Sequence, residues 1–146
     1  MAKQSDIIKA YLHDFAELDF SNDPYVWTMY SFDWGKGELA DFPDGPDEWQ
    51  RNEMNKIKAK LNDGENIESV IRQAVASGNG VGKSALVSIL ILWAMSTYED
   101  TKGVVTANTE NQLRTKTWAE MSKWYRLCRV KELFILSATA LYSADP

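Results

Sequence analysis

The sequence predicts an α/β fold: a parallel sheet with flanking helices, preceded by an N-terminal helical and aromatic extension. Three observations carry that expectation. The run 70–76, with Val70, Ile71 and Val75, has the composition of a short buried strand. After a glycine-rich stretch, residues 85–95 read as a helix that is apolar almost all round, and hence buried. Gly103, Val104, Val105, Thr106 and Ala107 then read as a second strand. Strand, helix and strand in that order imply a right-handed crossover joining parallel strands.

Taken in order, residues 5–18 place Ile7, Ile8, Tyr11, Leu12, Phe15 and Leu18 on a helical stripe, with Ser5 or Asp6 as the cap. This helix either packs on the domain or docks a partner subunit, and the run 21–24, ending in Asp23 and Pro24, closes it. Residues 25–39 are dense in aromatics and have no clean period. Only Lys36 among them is basic, so covering one edge of the core is favoured over stacking on nucleic-acid bases. Residues 42–47 form a turn cluster that starts a helix carrying Trp49, Glu53 or Met54, Ile57 and Leu61, closed by Asn62, Asp63 and Gly64. Residues 98–102 make a further turn. Thr109 and Gln112 fit a capping box for a helix with Leu113, Trp118, Met121, Trp124 and Tyr125 on its apolar side. The last segment, 133–142, has strand composition. Residues 1–41 are thus expected to be the extension, and 42–146 an incomplete nucleotide-binding domain.

The glycine-rich stretch carries the chemistry. Ser77, Gly78, Asn79, Gly80, Val81, Gly82, Lys83 and Ser84 match the phosphate-binding pattern G-x-x-x-x-G-K-[ST], with serine in place of the first glycine. Glycines let backbone N–H groups turn inward around a phosphate, and the helix start adds the positive end of its dipole. Lys83 is the expected catalytic cation, reaching the β- and γ-phosphates of ATP, and Ser84 the expected ligand of Mg²⁺. A glutamine amide offers a donor and an acceptor together, so Gln50 could read the adenine edge, or be an exposed helix glutamine.

Composition excludes several classes. With 146 residues and 45% apolar content the chain can bury one core. The net charge of -5 argues against a free-standing nucleic-acid binder. Arg114, Lys116, Lys123, Arg126, Arg129 and Lys131 do cluster late in the chain, where a solvated helix face is the favoured reading. One cysteine, Cys128, rules out an internal disulfide, and one histidine, His13, rules out a His-pair metal site or a Ser-His-Asp triad. The polar N-terminus and the short apolar run around 86–95 give neither signal peptide nor membrane span, so the expected location is the cytoplasm.

An ordered series of short motifs goes further. Residues 32–35 (Phe-Asp-Trp-Gly), 37–40 (Gly-Glu-Leu-Ala), Gly45 and Pro46 with Trp49 and Gln50, the stretch 76–84, and 105–118 together resemble the start of the large terminase subunit of tailed bacteriophages and prophages. The series covers most of the chain from Phe32 to Tyr142. Members of that family join an N-terminal ATPase of RecA-like P-loop fold to a C-terminal nuclease and drive DNA into a procapsid. The resemblance implies that Gln50 lies in the adenine-recognition motif and that residues 77–84 bind MgATP. It also implies a homo-oligomeric parent working with double-stranded DNA, a small terminase subunit and a portal protein in the bacterial cytoplasm.

An apolar strand ending in Asp-Glu does not follow the loop, and no nuclease carboxylate cluster is visible. The chain therefore looks like the first part of a terminase ATPase domain, cut before its catalytic carboxylates and expected to hydrolyse ATP negligibly. Two alternatives stand beside it: another P-loop NTPase of helicase-like type, and a non-catalytic remnant or interaction module.

Overall fold

Residues 4–63, 82–98 and 100–144 are described by the computed structural model. Their centre is a helix, Lys83–Thr97, labelled α4 once the preceding three are counted: α1 (Gln4–Leu18), α2 (Pro24–Ser31) and α3 (Glu48–Leu61). After it come α5 (Glu110–Gln112), a π-helical turn over Leu113–Thr117, α6 (Trp118–Leu127), and two short strands, β1 (Phe134–Leu136) and β2 (Leu141–Ser143).

Leu86, Ile89, Leu92 and Trp93 bury one side of α4. That helix packs most extensively on α6, and also on α2 and the short 3-10 turn Phe20–Asn22. The hydroxyls on α4 make no demand on the core. Ser88 donates to the Ser84 carbonyl at 2.8 Å, and Thr97 to the Trp93 carbonyl at 2.7 Å, each folding back on its own helix. Three longer bonds tie its C-terminal half to the first helices: Trp93 Nε1 donates to the Phe20 carbonyl at 2.7 Å, the Tyr11 hydroxyl to the Ser96 carbonyl at 3.2 Å, and the Tyr98 hydroxyl to the Ser21 carbonyl.

Helix α1 begins at Gln4, so Ser5 and Asp6, the expected caps, lie inside its first turn. The chain leaves it through Asp19, in the left-handed region at φ 54°. Asp23 then caps α2, its side chain accepting from Val26 N at 3.1 Å, with Pro24 as first helical residue. The aromatic segment 25–39 is therefore in part a helix, and its rings serve the core: Trp27 is 0% exposed and Phe32 3%. Tyr11 stacks on Phe20 at 5.4 Å, and Phe32 meets Trp124 edge-on at 5.3 Å. Tyr30 donates to Asp14 Oδ2 at 2.8 Å, and burial, with that carboxylate beside it, pushes its hydroxyl up to about 12. Buried residues from both sides of position 41, Tyr11 and Trp27 with Met54, Leu92 and Met121 among them, form one core.

The expected parallel sheet of RecA-like type is corrected by the structure. Among the described residues there is one sheet, the antiparallel pair β1–β2, in which Phe134 faces Ser143 and Leu136 faces Leu141. The run 133–142 is thus a hairpin rather than one strand. Its turn is closed by Ser137 N donating to the Ala140 carbonyl at 2.8 Å. The expected strand 103–107 has no regular structure, and Val104 is 90% exposed. Strand composition describes a fit to a pleated, half-buried surface, and here no strand among the described residues supplies one. The other expected strand, 70–76, lies outside the described residues.

Burial separates these segments energetically. Leu92→Ala, in the 0% exposed centre of the core, is expected to cost about 2–5 kcal/mol in urea unfolding. Val104→Ser should change stability by about 0.5 kcal/mol or less. A loss above about 2 kcal/mol at Val104 would restore a buried strand there.

Candidate functional site

The first turn of α3 holds a glutamine, Gln50, whose amide bonds at both ends. Gln50 is 7% exposed; its Oε1 accepts from Asp47 N at 3.0 Å, which completes one half of a capping box at the start of α3. Its Nε2 donates to the Gly82 carbonyl at 2.9 Å. Two residues 32 apart in sequence are thereby joined at the starts of two helices. Gly82 is the N-cap of α4, with φ 84° and its carbonyl also accepting from Leu86 N at 3.1 Å. Its backbone lies in a region that side chains rarely adopt, which favours glycine, and a Cβ added there would lie 2.8 Å from Gln50 Nε2 and displace that amide.

Beside this junction lies a cleft of about 810 Å³. Its floor is the first turn of α4, with Gly82, Lys83, Ser84 and Ala85. The start of α3 contributes Pro46, Asp47 and Gln50 to the lining, and the π-helical turn with α6 contributes Thr115, Lys116, Ala119, Glu120 and Lys123. Trp34, Leu39, Phe42 and Trp124 add an apolar, aromatic side, and the Trp34 and Trp124 rings lie 6.0 Å apart. Size and lining suit a small molecule with a flat apolar part and a charged part.

Of the sequence-predicted site residues, Gln50, Gly82, Lys83 and Ser84 come together at this cleft. Ser77, Gly78, Asn79, Gly80 and Val81 lie outside the described residues. Gln50 is not an exposed helix glutamine: one donor and one acceptor of its amide hold the junction. Sequence reasoning did not find the aromatic side, because 25–39 has no period, nor the second basic wall. The signal for that wall was in the spacing: Lys116, Glu120 and Lys123 recur at four and three residues, one face of a helix.

Cys128 is a free thiol in the core, and burial pushes it up to about 12, which leaves it protonated and unreactive at neutral pH. His13 sits beside Asp14 at 3.2 Å on the outer side of α1. Among the described residues no three His, Cys, Asp or Glu side chains gather as a metal site would need. No described helix is long and apolar enough to cross a membrane.

Comparison with family models, with curated proteins and with solved structures found no match.

The junction predicts its own mutational behaviour. Gln50→Ala strands the Asp47 N–H, leaves the Gly82 carbonyl with its Leu86 bond alone and is expected to cost about 1–3 kcal/mol in urea unfolding. Gln50→Glu keeps the acceptor, loses the donor and should also destabilise. Wild-type stability in both variants would mean that the amide does not join the helices.

Proposed function

We propose that this chain binds MgATP in the cleft at the start of α4, as the nucleotide-binding part of a terminase-like DNA-packaging motor. One observation carries the reading: Gln50 and Gly82–Lys83–Ser84, drawn from two separate motifs of the ordered series, line one cleft of nucleotide size. The ordered motifs and the glycine-rich stretch 77–84 support the phosphate chemistry; the proposal does not rest on a parallel sheet.

In this reading Lys83 neutralises charge on the β- and γ-phosphates, and the α4 N-terminus adds the positive end of its dipole. The donor set fits the metal as well, since Ser84 brings a hydroxyl to the cleft where phosphate oxygens would complete an oxygen shell. Bound Mg²⁺ would supply charge neutralisation between phosphates. The Trp34, Phe42 and Trp124 side offers apolar surface to the base. Gln50 acts by holding α3 against Gly82, so it sets the shape of the cleft instead of reading adenine. Double-stranded DNA, a small terminase subunit and a portal would be the partners of the assembled motor.

A second reading, a partner-docking module that takes no nucleotide, draws on the segment 103–107, whose Val104 is 90% exposed with the composition of a strand. Titration calorimetry separates the two. The nucleotide reading expects MgATP to bind, with Lys83→Ala weakening it at least about tenfold and leaving the fold intact. Absence of binding to the wild type, or equal binding by Lys83→Ala, would overturn it.

A further inference from the structure

We propose that Lys116 and Lys123 form a second anion-binding wall, so that the phosphates of a nucleoside triphosphate are held between Lys83 on α4 and these two lysines on the facing helix. This rests on the nucleotide reading of the cleft and names the group that discriminates by phosphate number.

The late basic residues differ in their partners, and Lys131, whose ammonium donates to the Arg126 carbonyl at 3.5 Å, lies outside the cleft lining. The three arginines each meet a carboxylate: Arg126 bonds Glu38 at 2.9 Å, while Arg129 lies 3.9 Å from Asp33 and Arg114 3.9 Å from Glu110. Among the described residues neither Lys116 nor Lys123 is in an ion pair, and these are the two that line the cleft. The acid between them, Glu120, forms an ion pair with neither. Glu120 instead accepts from Trp124 Nε1 at 2.9 Å. The Lys123 ammonium is 5.3 Å from the centroid of the Trp124 ring, where the ring face holds it along the wall.

Ammonium groups gathered in a concave site raise the local potential and the local concentration of anions, an effect that low-dielectric walls focus. Lys83 with Lys116 and Lys123 outnumbers the two acids of the lining, Asp47 and Glu120. The surplus is basic in a chain whose net charge is -5. Lys116 also belongs to the π-helical turn Leu113–Thr117, and such turns recur where a helix serves a site. A single phosphate at Lys83 would leave the facing lysines unused. A chain of phosphates can engage both walls.

The test measures binding of AMP, ADP and ATP, each with Mg²⁺, to the wild-type chain, to Lys116→Gln, Lys123→Gln and their double variant, and to Arg126→Gln as a basic control paired away from the cleft. Each lysine variant is expected to weaken ATP about tenfold, the double variant further, with AMP shifted less than about twofold. Arg126→Gln should match the wild type, and Lys116→Arg should retain most of the ATP affinity. If the double variant binds ATP within about twofold of wild type while Lys83→Ala still loses it, the second wall is overturned and the nucleotide reading stands. Equal losses for AMP and ATP would also overturn it, since the lysines would not be sensing the phosphate chain. Failure of the wild type to bind any of the three nucleotides would overturn both.

Discussion

A fifteen-residue helix with apolar side chains around most of its circumference needs cover on more than one side, and α4 is such a helix, with Val87 left 44% exposed. The placement of the other elements follows from covering it. Helix α6 lies along it, α2 and the Phe20–Asn22 turn cover another side, and the hairpin after α6 closes the end of the core through Phe134. Burying α4 also fixes where its polar start emerges. Lys83 and Ser84 reach the surface beside α3, and the Gln50 amide joins that helix to Gly82. The cleft is thus a consequence of core packing: its floor is the one end of a buried helix that carries charge, and its walls are the helices that bury the rest.

Much of this was legible in the sequence, and the failures have physical causes. Helices α1, α3 and α4 follow from apolar spacing, and α5 from the Thr109 cap, whose Oγ1 accepts from Gln112 N at 3.1 Å. Helix α2 was hidden twice over. Its aromatic side chains are buried on several faces and so show no amphipathic period, and the Asp23-Pro24 signal, which starts it, reads equally well as the end of α1. The strand at 103–107 failed for the opposite reason. Two valines and a threonine satisfy strand composition, but pairing is a property of the partner strand, and Val104 has found none among the described residues. In the hairpin, Ser137 takes over the turn by accepting from Ala140 N at 3.0 Å, a local bond that divides one apolar run into two strands.

The site shows the same division. The resemblance implied that Gln50 and the stretch 77–84 act together, and the 2.9 Å bond to Gly82 brings Gln50 beside the start of α4. The bonds of Gln50 to Asp47 N and the Gly82 carbonyl did not come from the sequence, because amide partners distant along the chain are invisible in one dimension. Lys116 and Lys123 were equally hidden: their spacing suits a solvated helix face, and only the carboxylates met by Arg114, Arg126 and Arg129 set them apart. Charge in a sequence is counted by residue, whereas charge in a cleft is what remains after the partners have been assigned.

Hydrogen–deuterium exchange of the whole chain with and without MgATP tests the central claim, that the start of α4 and the facing helix form one nucleotide cleft. The account predicts slowed exchange in two separate segments, the first turn of α4 and Thr115–Lys123, with the β1–β2 hairpin unchanged. Protection confined to α1 or the hairpin, or no protection at saturating nucleotide, would contradict it.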